Sequence, residues 1–142
     1  YKKYKTEDMV RDAMYIIKAN APINTEAYTY AKTQIDSRKV KFLIEERDAR
    51  IKLNETRVGQ NLTPDERNER LMPFQLTDNL KNQMMNLTES NEGVNIILEK
   101  NNKTISKDRF SSFIYALYYI KQEEERRNKR KTSNLSDLMF FS

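Results

Sequence analysis

The sequence predicts an α+β chain, rich in helix with a few strands. Three observations carry this reading. Apolar residues recur at i, i+3 and i+4 in several polar segments, as helices with one buried stripe require. Short runs of β-branched and aromatic residues are bounded by Gly, Pro or Asn, as strands are. The chain has 142 residues, 33% charged and 37% apolar. Its apolar residues cluster, which favours one modest core over disorder.

The first expected element is a strand at 14–19, from Tyr15, Ile16 and Ile17, ended by Pro22. A helix over 25–37 follows, with Ala27, Ala31 and Ile35 on one face and Asn24 or Thr25 as its cap. Residues 39–44 read as a second strand, since Val40, Phe42 and Ile44 alternate with Lys41 and Leu43. The charged stretch "EERDARIKLNETR" reads as a helix that Gly59 closes.

A helix over 64–89 has a marked start. Thr63 caps, Pro64 takes the first helical position and Glu66 completes a capping box. Pro73 is expected to kink or split it. Leu76, Leu80, Met84 and Leu87 form its apolar stripe. Gly93 marks a turn, residues 94–100 a strand, and Asn101–Asn102 a second turn. The last helix, 107–128, carries Phe110, Phe113, Ile114, Leu117 and Tyr118 at helical spacing. Residues 131–142 read as a flexible basic and apolar tail, separate from 1–130.

Composition limits the chemistry. With no cysteine and no histidine, thiolate metal sites, His-ligated zinc and Ser/His/Asp catalysis are excluded within these residues. Carboxylates, lysines, tyrosines and hydroxyls remain, and Mg²⁺ or Mn²⁺ held by oxygens becomes the natural metal. The net charge of +5 permits contact with nucleic acid without arguing for it. The longest apolar run, Phe113 to Ile120, falls well short of the about 20 residues that a membrane span needs. Only two glycines are present, so the chain contains no phosphate-cradling Gly-rich loop. A chain that starts at Tyr1 is expected to be a piece of a longer product.

Asp108 stands at the mouth of the last helix, between Lys107 and Arg109. Two readings compete. With Ser106 as cap, an acid in the first turn meets the helix dipole favourably, at about 0.3–1 kcal/mol. Alternatively, a carboxylate on a rigid element after a strand and a tight turn is a metal ligand for phosphodiester cleavage. Glu45, Glu46 and Asp48 read better as a solvated face than as a second acid group. Tyr115, Tyr118 and Tyr119 read better as packing than as base-stacking platforms. Arg126, Arg127, Lys129 and Arg130 lie in a basic run that suits a phosphate or an acidic partner as well as it suits solvent.

The segment "KDRFSSFIYALYYIKQEEE", preceded by "NIILEKNNKTIS", resembles the end of the nuclease domain of tailed-phage terminase large subunits. "MYIIKANAPINTEAYTYAKTQIDSRKVKFLIEE" resembles the block before it, so the likeness covers residues 12–125. The resemblance implies an RNase H-like domain that cuts concatemeric DNA with Mg²⁺ or Mn²⁺ during genome packaging. It implies that Asp108 is the last metal-binding acid, with Lys107 and Arg109 near DNA phosphate. The earlier acids, and the ATP-driven motor, would lie before Tyr1. Double-stranded DNA, the portal protein and the small terminase subunit become the expected partners, and the bacterial host cytoplasm the expected location. The alternatives are a non-catalytic α-rich DNA-binding or packaging and assembly protein, and a helical module that binds a partner through its basic hinge and apolar end.

Overall fold

A computed structural model describes residues 16–139, with side chains described for 16–129. Among the described residues five helices and one hairpin follow in this order: α1 (Ala21–Asp36), α2 (Glu46–Glu55), α3 (Arg57–Gln60), α4 (Pro64–Met85), β1 (Leu87–Glu92), β2 (Asn95–Lys100) and α5 (Asp108–Met139). The architecture is mixed helix and sheet, as α+β requires. Among the described residues the sheet has two strands only, paired antiparallel.

The core forms where α1 crosses α5. Small side chains on one helix admit large ones on the other. Ala27 and Ala31, four residues apart, are 0% and 2% exposed. They meet Phe110, Ile114 and Tyr118, which repeat every four residues along α5. Leu80 and Met84 of α4, Leu87 of β1 and Leu98 of β2 close the cluster. Tyr28 meets Phe110 edge to face, with ring centroids 6.4 Å apart.

Several expected elements hold. The helices over 25–37, 64–89 and 107–128 correspond to α1, α4 and α5, and the strand at 94–100 to β2. Thr63 and Glu66 make the full capping box.

Other expectations are corrected. The helix α1 begins at Ala21, not at 25, because Asn20 is the cap: its Oδ1 accepts the Ile23 N–H at 2.9 Å. Pro22 therefore lies inside the first turn, where its missing N–H costs nothing. The expected strand at 14–19 begins outside the described residues, and 16–19 have no regular structure.

Residues 39–44 form no strand. Among the described residues no neighbouring strand offers them a ladder, and the Lys39 N–H turns back to the Gln34 carbonyl. The Leu43 carbonyl accepts from Lys81 Nζ (3.0 Å), and Phe42 packs on Phe113 (5.9 Å). The helix α4 stops at Met85, and residues 87–92, the first of which are expected as helix, form β1. Pro73 does not split α4. The backbone of α5 passes residue 131 without a break and stays helical to Met139.

Two turns need special backbone. Gly93, at φ 61°, opens the two-residue loop between Glu92 and Asn95. A glycine in first place with positive φ suits the twist of a tight hairpin. Arg38 takes φ 56° after α1. There the Arg38 N–H donates to Ile35 O and the Lys39 N–H to Gln34 O, the paired bonds of a Schellman ending.

Candidate functional site

The hairpin delivers the chain to Asp108. Leu87 pairs with Lys100 at its open end, which sets Asn86 beside Asn101 and Asn102. The Asn86 carbonyl accepts the Asn101 N–H at 2.8 Å. Its side-chain amide pairs with the Asn102 backbone on both sides. Oδ1 accepts the Asn102 N–H at 2.7 Å, and Nδ2 donates to the Asn102 carbonyl at 2.9 Å. Asn102 Oδ1 then accepts from the Thr104 N–H and hydroxyl. This chain of bonds shapes the turn that ends at Ser106.

The start of α5 is capped by two residues other than Asp108. The Asp108 N–H donates to Ser106 Oγ at 3.1 Å. The Phe110 N–H donates to Gln83 Oε1 at 3.1 Å, across from α4. Asp108 Oδ2 accepts the Ser106 hydroxyl at 2.7 Å. The Asp108 side chain is exposed, at the rim of a cleft of about 480 Å³ lined also by Asn79, Asn82, Gln83 and Arg109.

The oxygens around this cleft are carboxylate, hydroxyl and amide, a donor set that suits a hard cation. One carboxylate does not complete such a site. Among the described residues no three acids come together in a group that would hold a metal ion.

The three residues of the Lys-Asp-Arg element part company. Arg109 shares both clefts beside Asp108. Lys107 lines a different cleft, between α1, β2 and α5, with Tyr28 and Tyr115. Tyr115 donates to Asn24 Oδ1 at 2.6 Å, and Tyr118 is buried in the core.

The basic run sits far along the same helix. Arg126 pairs with Glu123 at 2.9 Å, and Arg127 and Lys129 are exposed. The Arg130 side chain lies outside the described ones. From Asp108 to Arg126 the helix rises about 27 Å at 1.5 Å per residue. Glu46 pairs with Arg50, and the exposed Glu45 and Asp48 face solvent.

Sequence reasoning missed Gln83 and Asn86. They read as polar residues of a helix, yet they are buried. Asn86 had one signal: once the hairpin is seen, its register puts Asn86 opposite the Asn101–Asn102 turn. Gln83 had none, since its partner is a backbone amide 27 residues away.

No helix among the described residues is long and apolar enough to cross a membrane. No protein-family model, no curated protein and no solved structure matches the chain.

Proposed function

We propose that the chain is the C-terminal part of a metal-dependent DNA endonuclease domain of the phage terminase type, with Asp108 as a metal ligand. One observation carries the reading. Gln83 takes the Phe110 N–H at the start of α5, so the Asp108 carboxylate, bonded only to the Ser106 hydroxyl among the contacts described, stands exposed where it lines the cleft.

The roles follow from the chemistry. Asp108 supplies fixed negative charge on a rigid helix, and acids upstream of Tyr1 would complete the oxygen set for Mg²⁺ or Mn²⁺. When bound, such an ion activates water and stabilises the leaving oxygen of a phosphodiester. Arg109, beside Asp108, neutralises a DNA phosphate. The basic run at Arg126, Arg127, Lys129 and Arg130 meets phosphates further along. A duplex rises about 3.4 Å per base pair, so the about 27 Å between the two points spans roughly eight pairs. Double-stranded DNA is the substrate, the portal and the small subunit are partners of the parent, and the host cytoplasm is the place of action.

A second reading has its own support. The Ser106–Asp108 exchange of bonds is a sound local helix start. On that reading the chain is a non-catalytic, α-rich DNA-binding or packaging protein.

Asp108→Asn separates the two in the parent protein, extended upstream through the motor. The swap keeps size and removes the charge that holds the ion. Metal-dependent cleavage should fall to background while ATP hydrolysis continues. The helix-start reading predicts that the swap leaves cleavage as it is in the unsubstituted parent, whether present or absent, and costs about 0.3–1 kcal/mol of stability.

A further inference from the structure

Gln83 and Asn86 are the two buried polar side chains among the described residues, each 8% exposed. They lie at the end of α4, three residues apart, and both are committed to one stretch of chain. Asn86 holds the Asn102 backbone by two bonds, and Gln83 holds the Phe110 N–H. Between those two anchors lies the segment that carries Ser106, Lys107 and Asp108.

Burying an amide without partners costs about 1–3 kcal/mol, and an apolar side chain of like volume avoids that cost. Leu80 and Met84 show that this end of α4 takes apolar residues where it faces the core. The two amides are therefore spent on geometry, which apolar packing alone would not fix. A leucine at 83 would keep a similar volume and lose the bond to the Phe110 N–H. It would leave the helix free to start a residue earlier or later, and to turn the Asp108 side chain to another side.

We infer that Gln83 and Asn86 are positioning residues. They lock the first turn of α5 to the end of α4, and so fix the direction of the Asp108 carboxylate. The inference rests on the proposed nuclease reading for the use made of that carboxylate. They act on Asp108 through the backbone between Asn102 and Phe110 and not by a bond to it, so the expected effect is at the low end of the about 10–100-fold seen for groups bonded directly to a ligand.

The test uses Gln83→Leu, Gln83→Glu, Asn86→Ala and Asn86→Asp. Glutamate keeps an acceptor for the Phe110 N–H and adds a charge favourable to a helix start. Aspartate at 86 keeps the acceptor for the Asn102 N–H and loses the donor. Amide hydrogen exchange on the 142-residue chain gives the first readout. Phe110 exchange should quicken about tenfold or more in Gln83→Leu and return toward the parent rate in Gln83→Glu, with Ala27 and Ala31 unchanged.

Cleavage by the parent protein gives the second. The Mg²⁺ concentration for half-maximal rate should rise about tenfold in Gln83→Leu, with kcat at saturating Mg²⁺ nearly kept, and Gln83→Glu should restore it. Should Gln83→Leu fail to fold, Asn86→Ala, which removes the acceptor, is read in the same way through the Asn102 amide and the Mg²⁺ requirement, and Asn86→Asp should return that amide toward the parent rate. Unchanged amide exchange overturns the inference. Faster exchange with an unchanged Mg²⁺ requirement also overturns it, since the bonds would then be structural only. Normal cleavage by Asp108→Asn removes the nuclease reading, and with it the positioning role of Gln83 and Asn86.

Discussion

The two sides of the molecule are held together by different means. On one side α1, the hairpin and the first half of α5 share an apolar cluster around Ala27, Ala31, Phe110, Ile114 and Tyr118. On the other, α2 and α3 lean on the front of α4 with little apolar burial beyond Ala49 and Leu71. That side is held by polar clamps. The Glu46 N–H donates to Asp78 at 2.7 Å, Lys81 donates to the Leu43 carbonyl, and Arg67 donates to the Gly59 carbonyl at 3.1 Å. Gly59 permits the tight approach of α3 to the end of α2, since a Cβ there would stand 1.8 Å from the Leu53 oxygen. Ile51, Val58 and Met72 remain largely exposed nearby. The lesson concerns cooperativity. Apolar area is non-directional and binds whole elements, whereas a clamp fixes one contact and opens alone.

Two truncations should expose this difference most strongly. Phe110→Ala empties the centre of the cluster and should cost about 3–5 kcal/mol, a large share of the about 5–15 kcal/mol that a domain has. Loss of structure should be global in urea titration. Leu71→Ala removes the most buried side chain of the other side, 1% exposed, and should cost about 2–5 kcal/mol. Its effect on amide exchange should concentrate in α2 and α3, with Ala27 and Ala31 still protected. Equal loss of protection on both sides in Leu71→Ala would break the comparison and make the molecule one cooperative unit.

The same difference decides what could be read in advance. The elements of the apolar cluster were legible because their stripes are periodic: Phe110, Ile114 and Tyr118 announce α5, and Ala27 and Ala31 announce α1. The start of α4 was legible for a local reason, since Thr63, Pro64 and Glu66 need no distant partner. The run 39–44 misled because alternation reports which side chains are alike and says nothing of a strand to pair with. "LTESNE" misled in the opposite sense. Its residues have weak strand preference, and pairing with "NIILEK" makes them β1. At the candidate site Asp108 and its helix start were legible. Gln83 was not, because a buried glutamine and an exposed one look alike in sequence.

The joint between the two sides offers a smaller test. Arg38 is exposed and sits at positive φ, where L side chains crowd their own backbone. Its exposed side chain leaves little packing for a substitution to lose. Arg38→Gly should relieve the turn and stabilise the chain by about 0.5–1 kcal/mol, net of the added freedom of the unfolded chain. Thermal unfolding would read this as a modest rise in Tm. An unchanged or lower Tm would mean that the Arg38 backbone is unstrained at this joint.

The smallest expected effects are electrostatic, and they set one carboxylate from each side against the other. Bonds from Lys32 and Tyr28 hold the Glu89 carboxyl below its ordinary range, and tie the hairpin to α1. The Glu46 backbone N–H, with help from Lys81, does the same for Asp78 and ties α2 to α4. A carboxyl lowered in the folded state lends stability above its unfolded value and loses it as pH falls through the lowered one. Both contributions should therefore fade below about pH 4, on the acid limb only. Glu89→Gln should flatten that limb for hairpin amides, and Asp78→Asn for the Glu46 amide. Salt should separate them further. The Glu89–Lys32 pair is exposed at 2.8 Å and should weaken in about 1 M salt, where screening reaches only about 3 Å. A carboxylate that accepts a backbone N–H depends less on a mobile partner charge, so the Asp78 limb should persist. If both limbs vanish together in salt, Asp78 is held by Lys81 and not by the α2 amide, and the clamp on that side is an ion pair.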